Sequence, residues 1–122
     1  MVRVAVSVLG LWLCLAFAPA AADGPADLEP AFRNTIVSTY PDGRTARLWL
    51  NRDGSYHAEG RDDGPSSGRW TRQGSRICIR QRRPFVAPFS YCTEIPRGDV
   101  GTSWTARAVT GEMIRIQVIA GR

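Results

Sequence analysis

TARLWLNRDGSYHAE, residues Thr45 to Glu59, reads as a β-hairpin and decides the fold. Asp53-Gly54 is a strong reversal signal, because glycine supplies the positive φ that a tight hairpin needs. On either side, apolar residues recur at every second position, the period of a strand. A three-residue loop Arg52-Asp53-Gly54 pairs Asn51 with Ser55. Leu50 then faces Tyr56 and Leu48 faces Ala58, so both strands present one apolar face. A slip of one residue would turn every side chain to the other face, which makes this register well specified.

The same arithmetic extends in both directions. A Pro41-Asp42-Gly43 loop pairs Tyr40 with Arg44, Ile36 with Leu48 and Asn34 with Leu50. A two-residue Gln73-Gly74 turn sets Trp70 opposite Ile77. A Thr110-Gly111-Glu112 loop sets Trp104, Ala106 and Ala108 opposite Val118, Ile116 and Ile114. Agreement among independent turns on one apolar face is stronger evidence than any single propensity. The predicted strands are 32–40, 44–51, 54–60, 67–72, 75–81, 88–95, 102–109 and 113–119, with no helical period and no repeat among them. The expected class is all-β: an eight-stranded antiparallel meander closing into a small up-and-down barrel, which removes exposed edges. A two-sheet β-sandwich is the alternative. Inward positions mix large residues (Tyr56, Trp70, Trp104) with small ones (Ala46, Ala58, Gly60, Gly68, Ala106). That mixture either fills a tapered barrel or leaves room for one small ligand.

The N-terminus carries Arg3, an apolar run from Val4 to Ala18, and then Ala20-Ala21-Ala22. This pattern predicts a signal peptide over 1–22, cut before Asp23. The run is shorter than the roughly 20 residues of a membrane span, so no span is expected after cleavage. Trp12-Leu13 ahead of Cys14 does not fit a lipoprotein signal. The expected location is periplasmic or secreted. A lead segment (23–31) and a single barrel domain (32–122) would then make up a mature chain of roughly 100 residues. All 16 basic residues are arginine. The formal charge of +5 falls by one when Arg3 leaves with the leader. Basicity invites a nucleic-acid reading, but a complete lack of lysine points to the codon usage of a GC-rich genome, and no nucleic-acid partner is expected.

With Cys14 removed, Cys78 and Cys92 remain, within RICIRQRRPFVAPFSYCTEI (Arg76 to Ile95). In an oxidising compartment such a pair forms a disulfide. Pairing them directly across a hairpin sets Arg76 opposite Glu94 and Arg80 opposite Ser90. Ile77 and Ile79 then share the other face with Phe89 and Tyr91, and the disulfide lies on the polar side. A zinc site would need further ligands, and His57 is the only histidine. No metal and no cofactor are expected.

The catalytic inventory is short. Ser55, His57 and Glu59 share one strand face, whereas a triad needs groups converging from separate elements. Asp62-Asp63-Gly64 has too few ligands for a calcium loop. Binding is therefore expected rather than catalysis. Arg80, Arg82 and Arg83, followed by Phe85, Phe89 and Tyr91, form a candidate anion-binding patch. Trp49 points away from the predicted core, between Thr35 and His57. It forms a candidate partner surface with His57 and Ser67, or is covered by the lead segment around Leu28 and Phe32.

The run Asp53-Gly54-x-Tyr56, Gly68-Arg69-Trp70, Cys78, Tyr91-Cys92, Val100-Gly101, Trp104 and Gly121-Arg122 resembles short exported alphaproteobacterial proteins of unknown function described as lipocalin-like. The resemblance implies a small barrel and no established activity. Gly68-Arg69-Trp70 looks like the lipocalin G-x-W, which lipocalins carry on the first strand; here it falls on the fourth. Ser67-Gly68-Arg69-Trp70 is also similar to the start of the Ser-Gly-x-x-Tyr motif of periplasmic C-type lysozyme inhibitors. The spacing is one residue short and the following Lys-Gly segment is missing, so only Ser67 carries over. These readings converge on an exported, non-catalytic binding protein of the cell envelope. Its expected ligand is a small apolar molecule or an anionic envelope component. The alternative is a protein-contact module, such as an inhibitor of a lysozyme or another hydrolase.

Overall fold

A computed structural model describes residues 28–94 and 99–122. The predicted signal peptide and most of the lead segment lie outside the described residues. The chain forms a one-turn helix α1 (Glu29–Arg33) and eight strands: β1 (Thr35–Thr39), β2 (Thr45–Leu50), β3 (Ser55–Glu59), β4 (Pro65–Gln73), β5 (Arg76–Arg83), β6 (Tyr91–Glu94), β7 (Ser103–Arg107) and β8 (Met113–Ile119). All pairings are antiparallel, in the order β6-β5-β4-β3-β2-β1-β8-β7. The sheet is a meander that curls until the first strand pairs with the last, and the result is a nearly closed barrel.

Closure is not complete. β6 and β7 are the two ends of the sheet order, so the ladder is interrupted between them. β6 is only four residues long and offers few backbone groups to pair. The gap is bridged by the Tyr91 hydroxyl, which donates to the Arg107 carbonyl at 2.6 Å.

Turn chemistry accounts for the register. In the β1–β2 loop the Gly43 N–H donates to Tyr40 O, and in the β2–β3 loop the Gly54 N–H donates to Asn51 O. Both are three-residue loops whose last position has positive φ, 83° at Gly43 and 87° at Gly54, the pattern of a type I turn closed by a left-handed residue. The middle aspartate accepts from the backbone two residues on: Asp42 from the Arg44 N–H and Asp53 from the Ser55 N–H, each at 2.9 Å. Those bonds favour the ionised carboxylates. The Arg44 N–H is the main cause of the lowered Asp42 pKa, and the Ser55 hydroxyl, reinforced by its N–H, lowers that of Asp53. Arg61-Asp62-Asp63 repeats the loop between Gly60 and Gly64, with Asp63 holding the left-handed position at φ 61°.

The expected pairings Tyr40–Arg44, Ile36–Leu48, Asn51–Ser55, Leu50–Tyr56 and Leu48–Ala58 are all present. Two turns differ from expectation. The β4–β5 turn is Gly74-Ser75, so Gln73 pairs with Arg76, and Trp70 lies opposite Ile79 rather than Ile77. Gly74 has positive φ (64°) and Ser75 does not, the arrangement of a turn with glycine at its first central position. The β7–β8 loop is Val109-Thr110-Gly111, with Ala108 bonded to Glu112. Trp104 and Ala106 therefore face Ile116 and Ile114. Gly111 (φ 90°) takes the last place, as glycine does in the other three-residue loops. Each correction moves the pairing by two residues, an even step, so the apolar face is unchanged.

The N-terminal expectation is also corrected. Residues 32–34 do not extend the first strand. Phe32 and Arg33 belong to α1, where the Phe32 N–H donates to Leu28 O. Asn34 is the helix C-cap and its side-chain amide donates to Pro30 O at 2.7 Å, so it does not pair with Leu50. One turn of helix is too short to show a 3.6-residue period, although Pro30 in its first turn suits a helix start. Leu28 and Ala31 are buried in the same cluster as Ile36, Leu50, Tyr56 and Ile77, so α1 plugs one end of the barrel. Phe32 packs on Trp70 at 5.7 Å and lies beneath the Arg52 guanidinium at 5.1 Å, while Arg52 pairs with Glu29. The C-terminus straps this plug down. The Arg122 guanidinium donates to Leu50 O at 3.0 Å and to the Asn51 side chain at 2.7 Å, and Gly121 N–H donates to the Asn34 side chain at 3.0 Å.

Cys78 and Cys92 are bonded directly across β5 and β6, with Cα atoms 4.0 Å apart, and Arg76 faces Glu94 as expected. The bond lies on the outer side, away from the core. β6 starts at Tyr91 rather than 88, so Arg80 and Ser90 are not a ladder pair. Closing a loop of 14 residues contributes about 3 kcal/mol in the chain-entropy account. Cys78→Ser/Cys92→Ser should therefore lower the unfolding free energy by about 2–3 kcal/mol, measured by urea titration. A change below about 0.5 kcal/mol would count against the staple.

Candidate functional site

Side-chain volume is unevenly distributed along the barrel interior. Toward the α1 end lie Leu50, Tyr56, Trp70, Ile77 and Trp104. Toward the opposite end the inward positions are small: Ser38, Ala46, Ala58, Gly60, Ser66 and Ala108. Where small residues face one another the interior cannot fill, and a cavity of about 390 Å³ opens. Its lining includes Tyr56, Ala58, Ser66, Ile79, Gln81 and Tyr91. A second compartment of about 190 Å³ shares Ala58, Ser66, Ile79, Tyr91 and Val109 with the first. The larger volume lies near the lower end of the roughly 300–1,000 Å³ range of small-molecule sites.

The mouth is apolar. The segment between β5 and β6 lays Phe85, Ala87, Pro88 and Phe89 against the cavity, with Val109 opposite. Phe85, Val86, Phe89 and Val109 are 64%, 66%, 55% and 60% exposed. Three of these, Phe85, Phe89 and Val109, lie beside one opening, with Val86 next in the chain; that is a patch rather than scatter, and such patches mark interaction sites. Three bonds hold the segment in place: Ala87 N–H to Gln81 O at 3.0 Å, Gln81 Nε2 to Phe85 O at 3.2 Å, and Arg80 Nε to Ala87 O at 3.4 Å. The disulfide anchors its base.

The polar groups of the cavity are neutral. Ser38, Tyr40, Tyr56 and Ser66 bring hydroxyls, and Gln81 brings an amide. Burial raises the phenol pKa of Tyr56, and burial outweighs the opposing pull of Arg61 in raising that of Tyr40. Arg47 and Glu59 border the smaller compartment but occupy outward register positions, paired with each other. Arg61 stacks over the Tyr40 ring at 3.9 Å and is paired with Glu112 at 3.1 Å and Asp42 at 3.7 Å.

The expected arginine cluster is divided. Gly68 pairs with Gln81 but Ser67 pairs with Arg83, which leaves Arg82 as the extra residue of a β-bulge. A Cβ on Gly68 would overlap the Arg80 carbonyl oxygen, so the bulge needs glycine there. Arg80 and Arg82 line a shallow groove with Arg69, Thr71 and Ser90 above the disulfide. No carboxylate lines that groove. The bulge keeps Arg83 on the outer face, farther along the strand, where it lines a depression with His57, Ser67 and Pro84. Arg80, Arg82 and Arg83 thus form two separate features.

The partner-surface candidates do come together. Trp49 pairs with His57, His57 with Ser67, and Ser67 with Arg83, which makes one outward row across four strands. Trp49 and His57 are stacked at 4.8 Å and 18°. The Trp49 indole donates to Thr35 Oγ1 at 2.9 Å, and Thr35 Oγ1 donates to Gly121 O at 2.7 Å. Trp49 therefore adjoins the C-terminal segment Ile119 to Arg122. Leu28 and Phe32 do not cover it, because they pack at the barrel end. On the Ser55–His57–Glu59 face the Ser55 hydroxyl donates to Asp53 at 2.6 Å and the His57 ring stacks on Trp49.

Sequence reasoning left open whether the interior was hollow and did not place the entrance. The available signal was the pairing of small residues along the ladder, Ala58 opposite Ser66 and Ala46 opposite Ser38. Fold and site together define a small, disulfide-bearing β-barrel with a plug at one end and an apolar cavity at the other. Comparison with protein-family models, curated proteins and solved structures found no match.

Proposed function

We propose that this chain is an exported, non-catalytic binding protein of the cell envelope that holds one small apolar molecule in the open half of its barrel. The observation that carries the reading is the cavity of about 390 Å³ with three exposed apolar side chains, Phe85, Phe89 and Val109, at its mouth. Buried apolar walls with a few polar groups are the usual makeup of a small-molecule site. The lone histidine lies on the outer row and not in the cavity, which favours binding over catalysis. The disulfide suits an oxidising compartment. The test is titration with N-phenyl-1-naphthylamine, a neutral apolar dye that brightens in dry surroundings. Saturable one-to-one binding at micromolar concentration is expected. The absence of saturable binding by the folded, oxidised protein would refute the reading.

A further inference from the structure

The cavity's polar chemistry narrows the ligand class. This step rests on the binding reading above. Among the described residues, the hydroxyls of Tyr56 and Ser66 make no hydrogen bond within the protein, although Tyr56 is 4% exposed. Tyr91 differs, its hydroxyl being spent on Arg107 O. Burial keeps the Tyr56 phenol protonated. Tyr56 pairs with Gly68, and Ala58 with Ser66 two residues along, so Tyr56 and Ser66 lie at adjacent inward levels of β3 and β4. Both residues line the cavity, so a ligand oxygen placed between their hydroxyls would accept from both.

Charge is handled differently. Among the described residues, no Asp, Glu, Arg or His lines the larger compartment, and Arg47 and Glu59 border the smaller one from outward register positions. Arg61, which stacks on Tyr40 beside the smaller compartment, is flanked by two carboxylates, Glu112 and Asp42. A carboxylate entering the larger compartment would lose its hydration, and no cationic side chain lines it among the described residues. An entering ammonium would meet no carboxylate inside. Burying an unpaired charge costs far more than burying a neutral ester or ketone.

We propose that the cavity selects an uncharged lipophile bearing one acceptor oxygen, such as an ester or ketone, held by the hydroxyls of Tyr56 and Ser66, and that it excludes acids and amines of the same chain length. The basic character of the whole protein would by itself suggest the opposite preference, an anionic lipid.

The experiment displaces N-phenyl-1-naphthylamine with methyl decanoate, decanoate and decyltrimethylammonium at neutral pH. Methyl decanoate is expected to bind at least about tenfold tighter than either ion. Tyr56→Phe and Ser66→Ala should each weaken methyl decanoate about fivefold. Neither should change the binding of naphthalene, which has no acceptor oxygen. Ser66→Ala provides a second reading of the same contact if Tyr56→Phe disturbs folding. Decanoate binding as tightly as the ester would overturn the charge selection while leaving the hollow-barrel reading intact. So would loss of naphthalene and ester affinity together in both folded variants, because the hydroxyls would then be acting through shape alone. Failure of the dye and of every probe to bind the wild-type protein would overturn the binding reading itself.

Discussion

Ala58→Phe should abolish binding of N-phenyl-1-naphthylamine and leave the barrel folded. Ala58 is on β3, inward by register, with Leu48 on one side and Ser66 on the other. It borders both compartments. A benzyl group there projects into space that no side chain occupies, so it fills a void rather than forcing apart a packed core. Filling a cavity commonly adds about 0.5–2 kcal/mol of stability, so the melting temperature should hold or rise. Dye affinity should fall at least about 100-fold, because the aromatic ring takes the position of the ligand. His57→Phe is the control. It is adjacent in sequence, adds a similar ring on the outer row and should leave dye binding unchanged. If the folded Ala58→Phe protein bound dye like wild type, the site would have to be elsewhere.

Leu50→Ala should produce the largest loss of stability of any single truncation discussed. Leu50 is completely buried, at 0% exposure, and lies where strand, plug and tail meet. It belongs to the cluster containing Leu28 and Ala31 of the plug region and Ile36 of β1. Its own carbonyl accepts from the Arg122 guanidinium at 3.0 Å. The surroundings are thus held by hydrogen bonds and cannot easily collapse into the hole. Buried leucine truncations of this kind cost about 3–5 kcal/mol. For a domain of this size, that corresponds to a fall in melting temperature of roughly 15–30 °C. Chemical denaturation should give the free energy and calorimetry the temperature. The dye should still bind well below the new transition, because the cavity opens at the other end. A loss under about 1 kcal/mol would mean that the plug is not packed on Leu50.

Several parts of this architecture were legible in residue order because they depend on near neighbours. Asp-Gly at 42–43 and 53–54 determines loop length locally, and loop length determines which side chains meet across the hairpin. The disulfide followed from the same ladder. Gly111 and Gly74 were misplaced within their turns. A left-handed residue belongs last in a three-residue loop and first in this two-residue turn, and Gly111 and Gly74 take those places in the structure. The apolar face survived both errors because each moved the pairing by two. Residue order presents the arginines as one patch, but the ladder spreads them over two depressions of the outer face. The carbonyl of Arg80 pressing on Gly68 marks the bulge that brings Arg83 to that face, which a strict period of two does not show.

The sequence alone determined the eight-strand meander, its apolar face across the hairpins, and the partnership of Cys78 with Cys92, since these follow from alternation, turns and redox context. Tertiary structure alone decided that α1 enters the barrel, that Gly121 and Arg122 tie it down, and that the opposite end stays hollow. Those outcomes depend on how volumes from strands distant in sequence add up inside a closed sheet. No local pattern along the chain records that sum.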